Sequence, residues 1–322
     1  MKGKLDSKVT EGEYDFIIIG AGVTGMAAAM YSARLGMKTL CLGYSHGSEM
    51  PLGGVITTTN VVENYPGFIR LTGNELADKI REHALSYEFV TIREEKVESV
   101  LKKENGFFVK TNKSEYIGKT VLFATGTKWK KLEVPGAKEF ENKGIAFCAL
   151  CDAPFYKNKI VAVVGGSDSA VKDAFVLAEH AKKVYIIYRK EKVRAEPINI
   201  ARMEANNKIE VINNANILEF KGKDVLEKVI LDRDYNGSKE LILSGVFIAI
   251  GHTALSDLAE SVGVALNENG EIIIDHKTSK TNVEGVYAAG DVADKPFKQA
   301  ITGVAEGCTA AHSAFEYISK IK

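Results

Sequence analysis

The 322-residue chain has no surplus of charge: Lys plus Arg and Asp plus Glu number 42 each. That balance excludes the global basic field of a nucleic-acid or membrane-surface binder. Long apolar runs are missing too. The most apolar stretch, FIIIGAGVTGMAAAM from Phe16, follows Glu11, Glu13 and Asp15 instead of a basic segment, and glycines and a threonine interrupt it. It reads as neither a signal peptide nor a membrane span. Cysteine is scarce, with four residues, too few for a disulfide scaffold. A cytoplasmic location is the expectation that follows. The hydrophobic share of 45% and charged share of 26% are those of a globular protein, and the length suits two domains.

Two of the four cysteines stand together, Cys148 and Cys151 in FCALCDAPF. Such a pair could be half of a zinc site, a haem attachment point, a structural disulfide or a redox couple that cycles. Composition leaves all four open.

The chain also repeats itself. DFIIIGAGVTGMAAAMYSARLGMKTLCLG, from Asp15, is echoed by IVAVVGGSDSAVKDAFVLAEHAKKVYIIYR, from Ile160. Each has a short apolar strand ending in glycine, an Ala-rich stretch of helical period and a second β-branched run, which is a βαβ unit. In the first, Gly20, Gly22 and Gly25 complete a G-x-G-x-x-G. These glycines permit the tight turn, the approach of a pyrophosphate to the backbone, and close helix–strand packing. Near the C-terminus an apolar strand, residues 286–289, ends in Gly290-Asp291 before a helix rich in small residues. Asp291 either caps that helix or hydrogen-bonds a cofactor hydroxyl beside the first turn. The second role requires the chain to leave its first domain and return.

These segments, with GGVITTTNVVENYPG from Gly53, ATGT from Ala124, CALCD from Cys148, YRKEKVRAEP from Tyr188 and AIGH from Ala249, resemble the low-molecular-weight thioredoxin reductases, FAD-dependent disulfide oxidoreductases. The likeness covers nearly the whole chain after residue 14. It implies an α/β fold of two Rossmann-like, three-layer ββα domains. The FAD domain is discontinuous, 1–126 and 252–322, and the NAD(P)H domain with the cysteine pair, 127–251, is inserted into it. The two domains would rotate about the crossings near Thr127 and His252, and a homodimer is implied. The FAD contacts implied are Gly20, Gly22, Gly25, Gly54, Thr58, Asn64, Gly126, Gly290, Asp291, Gln299 and Ala300. Those for NADPH are Gly165, Ser167, Asp168, Ser169, Ala170, Arg189, Lys190 and Arg194.

The cysteine question narrows in this setting. No second C-x-x-C exists and the six histidines show no H-x3–5-H spacing, against a zinc site. Residue 152 is Asp and not the His that haem attachment needs. A reducing cytoplasm disfavours a static disulfide. The expectation is a redox couple beside a flavin, reducing thioredoxin or a related small redoxin. The resemblance assigns Cys151 to the flavin side, Cys148 to attack on the substrate disulfide, and Asp152 to acid/base work. Cys41 and Cys308 are expected to be packing thiols.

Four departures bear on the donor and the flavin. Val55 stands where the family has Gln, and Lys298 where it has Arg. Ser167 replaces a glycine of the second turn, and Tyr188-Arg189-Lys190 replaces His-Arg-Arg. The second strand of that unit lacks the terminal acid that selects NAD, so NADPH is expected over NADH. Ser167 and the charge of Asp168 argue for weaker binding. Ferredoxin as donor, oxygen as acceptor, or a flavin-bound redox sensor are the alternative readings.

Overall fold

The computed structural model describes residues 10–44, 52–59 and 61–321. They form two compact units, one from the residues up to Lys128 and from Thr253 onward, the other from Trp129–His252.

In the first unit, the strand Thr10–Ile19 lies between Thr39–Gly43 and Glu115–Phe123, parallel to both. Val90–Glu94 extends the parallel sheet on one side. On the other, Glu115–Phe123 pairs at its end with Val286–Ala288 and at its start with an antiparallel hairpin, Val97–Lys103 and Gly106–Thr111. The run from Phe16 to Ile19 is apolar without alternation because both faces are covered. Phe16 and Ile18 pack with Ala28, Ala29, Ala310 and Ala314 of the helices, while Ile17 and Ile19 pack with Val100, Phe107 and Val109 of the hairpin.

The helix Val23–Arg34 starts at the Gly-rich turn and ends at Gly36, whose φ of +75° closes it as a glycine stop. The C-terminal helix Ala300–Ile321 lies across it, with Gly303 and Gly307 at the contact. A side chain at Gly307 would overlap the carbonyl of Thr24, so only glycine allows this approach. The helix Gly73–Leu85 is opened by a capping box: Glu75 N–H donates to Thr72 Oγ1, and Thr72 N–H to the Glu75 carboxylate.

The second unit repeats the plan. A parallel sheet runs in the order Ile209–Asn213, Lys183–Tyr188, Ile160–Val164, Gly245–Ile248, Ile145–Ala146. Helices Asp168–His180 and Pro197–Glu204 cover one face, joined by the short helix Ala149–Asp152. An antiparallel meander, Ile217–Gly222, Leu226–Tyr235 and Ser238–Ile242, covers the other. Each unit is thus helix, parallel sheet and antiparallel layer. Among the described residues no helix is long and apolar enough to cross a membrane.

Candidate active site

The first Gly-rich turn is built by steric necessity. Gly20 has φ +116°, and a side chain there would overlap the Ala124 carbonyl. One at Gly25 would overlap the carbonyl of Gly20. Gly22 is the N-cap of the helix and caps it with no side chain, so the first backbone N–H groups of Val23–Arg34 stay available to an anion. Gly53 lies alongside, its N–H donating to Ala21 O at 3.0 Å, and a Cβ built on Gly54 comes within 3.1 Å of Gly22 Cα.

Segments distant in sequence meet near this turn. Gly290 faces Thr24 so closely that its own Cβ would meet Thr24 Oγ1 at 2.9 Å. The helix begins only at Ala300, nine residues after Asp291, so Asp291 does not cap it. Its carbonyl accepts from Lys298 Nζ at 2.8 Å, and Lys298 also pairs with Glu271. Asn64 Nδ2 donates to Gln299 Oε1 at 3.0 Å, joining two expected contacts 235 residues apart. Ala300 packs with Val23, Met26 and Ala77. Gly126 has φ +68° and its carbonyl accepts from Leu255 N–H. The Thr58 hydroxyl is turned inward, donating to Val55 O at 2.7 Å. Uncapped N–H groups, bare glycines and an acid at the strand end together fit a dinucleotide.

Sequence reasoning missed the supports of this cleft. Glu306 accepts from the Gly290 N–H and from Lys295 Nζ, each at 2.9 Å, and Lys295 is buried. No spacing rule links residues 290, 295 and 306. Lys295 and Glu306 are each one of several charged residues between 290 and 306, so neither stood out in the sequence.

In the second unit the cysteines form a disulfide, Cys148–Cys151. Cys148 is the N-cap of Ala149–Asp152, and its Sγ accepts the Cys151 N–H at 3.2 Å. In the reduced state such an N–H favours a thiolate at Cys148. Cys151 is exposed and Cys148 half-buried. Asp152 makes no side-chain capping bond. Burial raises its carboxyl above the ordinary aspartate value. The phenol of Tyr156 is raised by burial and then by the charge of Asp152. Just ahead of the pair, Phe147 stacks on Trp129, with centroids 6.2 Å apart. Cys41 is fully buried in a strand, and its thiol is pushed up to about 12 by burial, which leaves it inert. Cys308 lies half-buried in the C-terminal helix, its thiol raised by burial.

The short cysteine helix packs against Asp168–His180, whose N-terminus is the second Gly-rich turn. Gly165, at φ +149°, touches Ala249, and a side chain at Gly166 would overlap the ring of Tyr188. Ser167 is the N-cap but makes no capping bond, so its exposed hydroxyl is available to a phosphate. Ser169 is exposed and Ala170 buried against the sheet. The charge of Asp168 is already engaged. Its carboxylate accepts from Lys172 Nζ (2.8 Å), Asn199 Nδ2 (2.8 Å) and Glu196 N–H (3.0 Å). Burial alone would raise it, but these donors and the Lys172 charge hold it below the usual value. The objection that Asp168 repels a pyrophosphate is weakened accordingly. Arg189, Lys190 and Arg194 are exposed on the loop after Lys183–Tyr188. This turn also fits a dinucleotide.

Two nucleotide folds and a C-x-x-C disulfide define a class, the disulfide oxidoreductases. The pyridine nucleotide-disulphide oxidoreductase family matches residues 14–307. The thioredoxin reductase of Bacillus subtilis is 37% identical over 315 residues, 96% of each chain. Among solved structures, the thioredoxin reductase of Lactococcus lactis superposes with a TM-score of 0.89 at 35% identity, covering 95% of this chain and 99% of its own. That of T. acidophilum gives 0.88 at 35% identity, covering 97% and 100%. The chain belongs to the pyridine nucleotide-disulphide oxidoreductase family, and within it to the thioredoxin reductases. Membership implies a flavin and a pyridine nucleotide.

Proposed function

We propose that this chain reduces thioredoxin, or a related small redoxin, with electrons from NADPH, using bound FAD and the Cys148–Cys151 disulfide. The observation that supports this most is that disulfide beside Asp152, an uncapped carboxyl raised by burial. FAD would be held by the Gly20–Gly25 turn, Gly54, Asn64, Gly126, Gln299 and Asp291, and NADPH by Gly165–Ala170 with Arg189, Lys190 and Arg194. The flavin, when bound, supplies the two-electron relay between the nicotinamide and the disulfide.

The protein's own steps follow from thiol chemistry. In the reduced pair the Cys148 thiolate, favoured by the Cys151 N–H, attacks one sulfur of the substrate disulfide. A mixed disulfide forms and the first substrate thiolate leaves, taking a proton from the Asp152 carboxyl. Cys151 then gives its thiol proton to the Asp152 carboxylate and attacks Cys148 Sγ, which releases the second substrate thiolate and restores the Cys148–Cys151 bond. We place the enzyme in the cytoplasm, where Cys41 and Cys308 stay reduced, and expect a homodimer.

The test is anaerobic reduction followed by turnover with oxidised thioredoxin. NADPH should bleach the flavin of wild type, Cys148→Ser and Cys151→Ser, while only wild type reduces thioredoxin. Bleaching by reduced ferredoxin but by neither nicotinamide would replace the donor. Thioredoxin reduction surviving in both variants would overturn the assignment of the pair.

A further inference from the structure

The loop 189–196 is pinned at both ends. At its start the Lys190 carbonyl accepts from the Asn214 N–H at 3.1 Å. At its far end the Glu196 N–H and Asn199 donate to Asp168. Two residues before Glu196, Arg194 is tied to the second Gly-rich turn: its N–H donates to Gly166 O at 2.7 Å, and it forms a short parallel bridge with Ser167. Its side chain is tied as well, Nε donating to the Tyr188 hydroxyl at 3.2 Å. Tyr188 is the last residue of its strand and only 6% exposed, its ring lying against Gly166. A hydroxyl on so fixed a ring is a fixed acceptor.

The choice of acceptor matters. A carboxylate at this strand end would hydrogen-bond the ribose hydroxyls of NAD and would neutralise a nearby arginine. A phenol takes one N–H of the guanidinium and leaves its charge whole. The bond engages Nε, which leaves the two terminal NH2 groups of the exposed Arg194 as a fork suited to a phosphate.

We infer that Tyr188 is the residue that sets donor specificity, by holding the Arg194 guanidinium in place for a ribose 2′-phosphate. The inference rests on the NADPH reading above. Tyr188 acts through Arg194 and is a positioning residue. It occupies the position an NAD-selecting acid would need, and it orients the cation that replaces that acid's role.

Tyr188→Phe keeps the ring over Gly166 and removes the hydroxyl. The measurements are flavin reduction with NADPH and with NADH, and calorimetric binding of 2′,5′-ADP and 5′-AMP. The NADPH-to-NADH ratio of kcat/KM should fall about three- to tenfold, the range one hydrogen bond supplies, through KM and not kcat. The ratio of 2′,5′-ADP to AMP affinity should fall with it. Combining Tyr188→Phe with Arg194→Ala should lower selectivity no further than Arg194→Ala alone. Arg194→Lys, which keeps the charge but loses the fork, should reproduce the selective loss. Unchanged ratios in Tyr188→Phe, or additive losses in the double variant, overturn the role of Tyr188 while the NADPH reading stands. A wild-type protein that binds AMP no more weakly than 2′,5′-ADP overturns both.

Discussion

Asp152 is partly buried, and its side chain caps nothing. Burial raises its carboxyl, so it keeps a proton at pH values where an ordinary aspartate has lost one. The thioredoxin-reduction step should therefore slow as pH rises through this raised value, and Asp152→Asn should lose that limb and turn over more slowly by roughly a hundredfold or more, on the order of a general acid's contribution. The effect on stability has the opposite sense. A carboxyl with a raised folded-state value favours folding least once pH exceeds that value, because the unfolded chain gives up the proton first. Below the ordinary aspartate range the two proteins should be equally stable. Above the raised value Asp152→Asn should be as stable as wild type or more so. Thermal melts and thioredoxin turnover across pH check both expectations, and a slow variant that also melts early at high pH would make the role structural.

Among elements, the strand–turn–helix from Thr10 to Arg34 was legible because three glycines at fixed spacing have few other uses, and because an apolar run without alternation means a strand covered on both faces. The second unit's turn was legible by its likeness to the first. The ties that hold these turns were not, since they join residues that no local period relates: Asp168 to Asn199, Glu306 to Gly290, Gly126 to Leu255. Asp168 shows the cost of reading a residue alone. A bare acid at a phosphate turn looked repulsive, while the folded chain surrounds it with Lys172 and two N–H donors. The turn itself can be tested. Gly20→Ala combines a positive φ with overlap of the Ala124 carbonyl, so the protein should be colourless and destabilised by roughly 2 kcal/mol or more. Gly263→Ala also has a positive φ, +87°, but meets nothing within 4 Å, and should cost about 1 kcal/mol and stay yellow. Flavin absorbance and denaturant midpoints compare the two.

At the scale of the whole molecule, the first unit closes on itself around the excursion of the chain. Gly126 O accepts from Leu255 N–H at 3.0 Å, and Thr125 Oγ1 donates to Leu255 O at 2.6 Å, so the two crossings are already neighbours within that unit. A chain in which Lys128 is joined to Thr253 by a few Gly and Ser residues should fold cooperatively and bind flavin. It should transfer nothing from NADPH to thioredoxin, having lost both the second turn and the cysteine pair. Colourless folded protein would mean that the flavin cleft draws on residues 129–252.

The crossing of the helix Ala300–Ile321 over Val23–Arg34 also bears on how the protein is born. Translation proceeds at about 5–20 residues per second, so the first helix waits on the order of 10–50 s for the partner that covers its small-residue face. The unit from Trp129–His252 leaves the ribosome complete during that interval and needs nothing later to close its core. Its folding in the middle of synthesis holds the two halves of the first unit apart by one compact body instead of 124 loose residues. The exposed Phe16–Ile19 strand is meanwhile a natural client for a holdase, and stalled nascent chains ending before Ala300 should be its richest source.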